Sequence, residues 1–242
     1  MPQKPVKRGL KAWMMCTSSL GSLLNFEVYC GKHDCIKRSG QGMGYDVVTQ
    51  LSSILTPGKN YHIYFDRYFT CIPLMMDLIK KNWLLWNFEY LPKELKSCKL
   101  EDAGQSKVFQ PVEFPNLLCT VWKDKKKIFM LSTTKSATTT TVNRRIGGTV
   151  SSRDCPTVFS DYNKFMGAVD LAEQKRKYYE SARKSRKLLL YVFWFLLDTA
   201  IYNSLNIYSL SQPPTNKEHK ILLDFKVSLI EELSKGILFP IV

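Results

Sequence analysis

Between residues 11 and 80 the apolar pattern alternates between strand and helix periods. The order of that alternation constrains the fold more than any other feature of the chain. KAWMMCTS (11–18) and LLNFEVYC (23–30) read as two strands around Ser19-Leu20-Gly21-Ser22, a hairpin in which Gly21 provides the turn. A polar, glycine-rich loop follows. YDVVTQLSSIL (45–55) then places Val47, Val48, Leu51, Ile54 and Leu55 on one helical face. Thr56-Pro57-Gly58-Lys59-Asn60 ends that helix, YHIYF (61–65) is rich in aromatic and branched residues suited to a strand, and a second helix begins near Pro73. Strand, strand, helix, strand, helix predicts a mixed or parallel sheet with helices packed on it.

Beyond residue 82 the pattern is less regular. WLLWNFEYLPKELK opens with a helix-like period that Pro92 interrupts, and VWKDKKKIFMLST (121–133) reads as strand with Lys123 to Lys127 as a charged turn. Residues 135–154 are polar and Thr/Ser-rich, and are expected to form an extended or mobile surface segment. Arg144 and Arg145 lie in it without making a nucleic-acid motif by themselves. From Asp161 onward the chain is expected to be helical. The stretch 188–208 is apolar nearly all round, as a central core helix would be. Its most apolar part, LLLYVFWFLLDTA, is interrupted by Asp198 and falls short of the roughly 20 residues a bilayer requires, so a buried helix is expected. A final short helix is expected in ILLDFKVSLIEEL, and no segment has the form of a signal peptide. Seven cysteines without a CxxC pair, beside three histidines, argue against structural zinc and for free thiols in a reducing compartment.

Charge narrows the partners. The formal net charge is +14, which favours a polyanion: nucleic acid most often, an anionic membrane surface less often. The clearest basic concentration is Lys175, Arg176, Lys177, Arg183, Lys184, Arg186 and Lys187, with Tyr178 and Tyr179 between, a mixture able to hold phosphates and stack on bases. A solvated helix face is the alternative. Two-metal phosphoryl transfer requires converging carboxylates, because hard divalent ions take oxygen ligands. Asp66 ends a strand, where sites of open α/β sheets commonly lie, and Asp170 and Glu173 share a helical face. The residues alone favour a solvated Asp66 and a capping or salt-bridged Asp170 over catalysis. Asp161 reads as an N-cap or first-turn acid, and Asp198 as a paired structural charge.

Several separated stretches resemble the piggyBac transposase family and the cellular proteins derived from such elements. They are KPVKRGLKAWMMC (4–16), YHIYFDRYFT (61–70), VWKDKKKIFMLST (121–133), DYNKFMGAVDLAEQKRKYYESARKSRK (161–187) and DTAIYNSLNIY (198–208), in the family's order. The resemblance implies an α/β RNase H-like domain, a mixed sheet flanked by helices and interrupted by an insertion, here expected to lack its leading strand. It implies a first part over 1–82, an insertion region with return strands and a polar loop over 83–160, a helical part over 161–210 and a helical tail over 211–242.

The family cuts and joins DNA with three acids and divalent metal. Asp66 matches the second acid, Asp170 the third, and Glu173 the position of a further nearby aspartate. The first aspartate has no counterpart here, so the set is incomplete. Asp66 and Asp170 are the inherited metal ligands that the resemblance implies. No cofactor is expected in the present form, and Mg2+ or Mn2+ would serve any residual activity. The expected role is a nuclear, transposase-derived protein that binds DNA or a partner without strand cleavage or transfer. A second copy of the chain is left open as a partner, and a membrane is not expected. An active transposase whose N-terminal region lies outside this sequence, and a non-functional remnant, remain as alternatives.

Overall fold

The computed structural model describes residues 11–29, 31, 36, 38–81, 84–87, 97–112, 115–133, 137–183, 187–211 and 218–235, with backbone alone at 84–87, 146 and 218–220. The chain divides into two compact units, Met1–Val28 with Ala168–Val242, and Tyr29–Gly167.

The central unit is built on a five-stranded sheet. Its strands are β3 (His62–Tyr64), β4 (Leu84–Asn87), β5 (Ser106–Phe109), β6 (Leu118–Lys123) and β7 (Lys127–Ser132), in the order β3-β4-β7-β6-β5. β3 and β4 run parallel and the other neighbours antiparallel, so the sheet is mixed. The parallel pair is joined through helix α2 (Ile72–Lys80), whose proline occupies the first turn, where its missing N–H costs nothing. Helix α1 (Met43–Leu51) and α2 supply Val48, Leu74, Met75 and Leu78 to a core with Phe65, Cys119 and Leu131. Strand alternation sends Trp122 and Met130 to the opposite face. There they meet Val158, Phe159 and Tyr162 of α3 (Thr157–Phe165) and Cys155 of the preceding strand. That strand, β9 (Thr149–Pro156), pairs antiparallel with β8 (Thr139–Ile146) as a separate ribbon.

The other unit joins the beginning and end of the chain. β1 (Ala12–Cys16) and β2 (Leu23–Val28) form the expected antiparallel hairpin, with a register shift at Met15/Cys16. Three helices accompany it: α4 (Ala168–Lys177), α5 (Leu188–Leu210) and α6 (Glu218–Ser234). α4 packs on β1, α5 on α4, and α6 on α5, with Tyr202, Leu205 and Leu222 in the core. Polar side chains of α5 stitch it to the hairpin. Asn203 Oδ1 accepts from the Leu23 N–H at 3.0 Å, and its Nδ2 donates to the Leu23 carbonyl at 2.8 Å. Tyr202 Oη donates to the Leu20 carbonyl at 2.6 Å.

Several expectations are corrected. Residues 84–87, read as helix-like, form a strand, because β3 offers a parallel edge that local periodicity does not reveal. The Pro92 interruption and LPKELK lie outside the described residues. The segment 135–154 is a hairpin from residue 139 onward, not an extended or mobile stretch. Ile54 is exposed, since the helix tightens into a 3-10 turn at Ser52–Ile54 and rotates that side chain away from the core. Asp161 lies within α3 and does not cap it. α5 is 23 residues long and is not buried all round: Leu189 is 82% exposed and Ile207 71%. By length and composition alone it suffices to cross a bilayer.

Candidate functional site

Asp66 is placed by the strand and helices of the central unit. It follows β3 and Phe65 in extended conformation (φ −71°, ψ 160°) and opens the 3-10 turn Arg67–Phe69. Its carbonyl accepts from the Phe69 N–H at 3.0 Å, while its carboxylate makes no capping bond and the side chain is exposed. The turn is held tightly against α1: a Cβ on Gly44 would come within 2.8 Å of Phe69 Cα and the Tyr68 carbonyl oxygen. α3 contributes Tyr162, whose buried hydroxyl donates to the Phe65 carbonyl at 3.4 Å. Burial first, and the Asp66 charge second, push the Tyr162 phenol up from its ordinary value. Tyr64 is pushed up to about 12, again by burial and then by the charge of Asp161. The end of β3 is thus an acidic, tyrosine-lined edge.

Asp170 and Glu173 stand on α4 in the other unit, Asp170 in the first turn, and both are exposed. Glu173 faces Lys177 across one turn at 3.8 Å. The start of the helix is locked to the hairpin because Gly21 has φ +68° and a Cβ there would meet the Ala172 nitrogen at 2.9 Å. Burial, with the Glu173 charge as the second cause, pushes the Cys16 thiol up to about 12, so the end of β1 lies within reach of that carboxylate. The strand itself carries no carboxylate over residues 12–17. Thr17, which follows it, accepts from the Ser22 N–H through Oγ1 at 3.0 Å.

A divalent cation would find oxygen donors of the right kind in Asp170 and Glu173. Two carboxylates on one exposed helical turn do not complete a site, and β1 adds none. Among the described residues, no group of three His, Cys, Asp or Glu side chains is gathered as for a metal ion.

The basic residues divide by role. Arg176 turns inward, its guanidinium 5.0 Å from the Phe195 ring centroid and its Nε buried without a hydrogen-bond partner. Lys175 lies 5.8 Å from the Tyr178 ring centroid. Lys177 and Arg183 are exposed, as is Lys187 at the N-cap of α5, while Lys184 and Arg186 lie outside the described residues. Asp198 fixes the segment between these cations: both its carboxylate oxygens accept from the Ser181 N–H, at 3.1 and 3.0 Å. Lys226 also holds that segment, donating to Ser181 Oγ at 3.3 Å and to the Tyr179 carbonyl. The paired role expected for Asp198 is the one observed. Asn203 and Asn206 belong to no motif, and their visible signal is the recurrence of polar residues along one side of an otherwise apolar helix.

A mixed sheet flanked by helices, with an acid at a strand end and a further acidic helix, defines an α/β fold of the RNase H-like transposase class. Residues 1–205 match the family described as Transposase IS4; the chain belongs to that family, within the piggyBac/DDE transposase superfamily. It is similar to human PiggyBac transposable element-derived protein 3, 25% identical over 217 residues, covering 81% of this chain and 35% of that protein. It is also 25% identical over 217 residues to the human Chimeric ERCC6-PGBD3 protein, covering 81% of this chain and 20% of that one. Among solved structures it resembles the piggyBac transposase in a cryo-EM synaptic complex with hairpin DNA, with TM-score 0.78 and 24% identity. That match covers 100% of this chain and 50% of the other. The chain therefore spans about a third or less of these human relatives and half of the solved transposase.

Proposed function

We propose that this chain is a transposase-derived, DNA-binding protein of the nucleus that does not itself cleave or transfer DNA strands. The observation that carries the loss of chemistry is the pairing of α4 with β1. The helix bearing Asp170 and Glu173 packs on a strand that offers Cys16 and Thr17 but no carboxylate over residues 12–17. A two-metal centre needs charge from several elements converging on one point, and each missing ligand weakens metal binding and transition-state stabilisation together. DNA binding is supported by the net charge of +14 and by the exposed Lys177, Arg183 and Lys187 beside Tyr178 and Tyr179. The relative solved with hairpin DNA supports the same reading.

The test combines binding and cleavage. Fluorescence anisotropy with a labelled hairpin DNA across a salt series should show binding that weakens linearly in log–log form, with a shallower slope for Lys177→Ala/Arg183→Ala. The same DNA incubated with the protein and Mg2+ or Mn2+ should remain intact. Metal-dependent cleavage abolished by Asp66→Ala would overturn the loss of activity, and absence of any salt-dependent binding would overturn the DNA reading.

A further inference from the structure

The β8–β9 ribbon is unlike a solvated surface hairpin in how its two faces are composed. Its loop is Gly147-Gly148 with φ 57° and 89°, a two-residue turn whose positive dihedrals match the right-handed twist of the strands. The inward face is anchored. Val142 and Cys155 pack in the core with Trp122, and the Trp122 Nε1–H donates to the Asp154 carbonyl at 2.9 Å. Arg144 and Arg153 both reach Asp124, each at 3.4 Å, and the Arg144 guanidinium lies 5.7 Å from the Trp122 ring centroid. Asp124 thereby ties the ribbon to the β6–β7 turn.

The opposite face is left to solvent. Thr141, Asn143 and Arg145 of β8 stand directly across from Asp154, Ser152 and Val150 of β9, and all six are exposed. The β6–β7 turn adds to the cationic surface. Lys123 and Lys127 reach back to the main chain of residues 98–101, while Lys125 and Lys126 remain exposed. A rigid two-stranded ribbon with hydrogen-bonding side chains outward, an arginine near its tip and two lysines on the turn tied to it matches duplex DNA in two respects. Phosphates are the natural partner of exposed cations. The major groove, about 12 Å wide, admits a two-stranded ribbon.

We propose that the β8–β9 ribbon, with Lys125 and Lys126, is a second duplex-DNA contact surface, separate in sequence from the basic segment 175–187. It rests on the reading of the chain as a DNA-binding protein. Lys125, Lys126 and Arg145 hold phosphates, and Asn143, Ser152 and Thr141 face the groove. Arg144 and Arg153 are positioning residues, engaged through Asp124.

Anisotropy titrations of the full chain with a labelled random-sequence duplex over a salt series test this. Lys125→Ala/Lys126→Ala/Arg145→Ala should bind roughly tenfold more weakly, with the log–log salt slope reduced by about 0.9 for each phosphate left without its cation. Lys59→Ala, an exposed cation in the turn before β3, should leave the slope unchanged. Trp122 fluorescence and the unfolding midpoint should be those of the parent chain, because the three altered side chains are exposed. Parent-like slope and affinity in the triple variant would sink the ribbon proposal while leaving DNA binding intact. No binding by the parent chain would sink both. Equal competition by poly-glutamate and unlabelled duplex would overturn DNA as the occupant of this surface.

Discussion

Asp198 and Lys226 meet at 3.1 Å with their side chains 1% and 14% exposed, joining α5 and α6 around the Ser181 amide. An ion pair so far from water is weak evidence of net stabilisation, but removing one partner strands the other charge. Asp198→Ala or Lys226→Met should each destabilise the chain by about 3–5 kcal/mol in denaturant unfolding. Replacing both with apolar residues should cost markedly less than the sum of the two single changes. Additive losses would show that the pair is not coupled.

Gly21 and Gly58 separate two reasons for a glycine. Both have positive φ, 68° and 79°, but a Cβ on Gly58 meets nothing within 4 Å, while one on Gly21 would strike the Ala172 backbone at 2.9 Å. Gly58→Ala should therefore cost about 1–2 kcal/mol, the left-handed backbone penalty alone. Gly21→Ala adds about 1–3 kcal/mol of overpacking, because backbone cannot rotate away as a side chain can. Chemical unfolding of the two variants gives the difference directly, and equal losses would mean that α4 yields to the added methyl.

The elements legible in the sequence are those whose local pattern agrees with their tertiary surroundings. Val47, Val48 and Leu51 face the core as their helical spacing requires, and Pro73 starts α2 as its fixed φ allows. The β1–β2 hairpin follows from two short apolar runs around Gly21. β4 is illegible because its pairing partner, β3, lies about twenty residues away and leaves no local trace. The β8–β9 ribbon is obscured because Thr and Ser on alternate positions blur the contrast on which strand recognition depends, although Gly147-Gly148 is a visible turn signal. α5 shows the converse: its apolar composition gives no measure of how much neighbouring surface exists to cover it. Asp66, Asp170 and Glu173 stand out through family resemblance, whereas the inward turn of Arg176 onto Phe195 depends on a ring nineteen residues further on.

The buried thiols give a pH-dependent prediction. Burial pushes Cys16 and Cys119 up to about 12 and Cys155 up to about 11, against an ordinary value of 9.0. The thiolate is the reactive form, so these three should label slowly with a thiol reagent at pH 8 in the folded chain and rapidly once it is unfolded. Because folding raises these values, the folded state keeps thiol protons that the unfolded chain loses. Their contribution to stability is intact below about pH 9 and is lost as pH rises through 11 to 12. Glu173→Gln removes the lesser cause at Cys16 and should speed labelling there without changing Cys119. Peptide mapping of labelled protein distinguishes the sites, and fast labelling of Cys16 at pH 8 would contradict its burial.

α5 carries side chains of the same chemistry in opposite surroundings. Leu205 is 5% exposed and packs with Tyr202 and Leu222, while Leu189 is 82% exposed and Ile207 71%. Hydrophobic stabilisation depends on area removed from water, so residue type alone cannot rank these positions. Leu205→Ala should cost about 2–5 kcal/mol, including the cavity it leaves between α5 and α6. Leu189→Gln and Ile207→Gln should each change unfolding free energy by about 0.5 kcal/mol or less, since both side chains already face water. A loss at Leu189 comparable to that at Leu205, in dilute monomeric protein, would mean that the N-terminal end of α5 is covered within the chain itself.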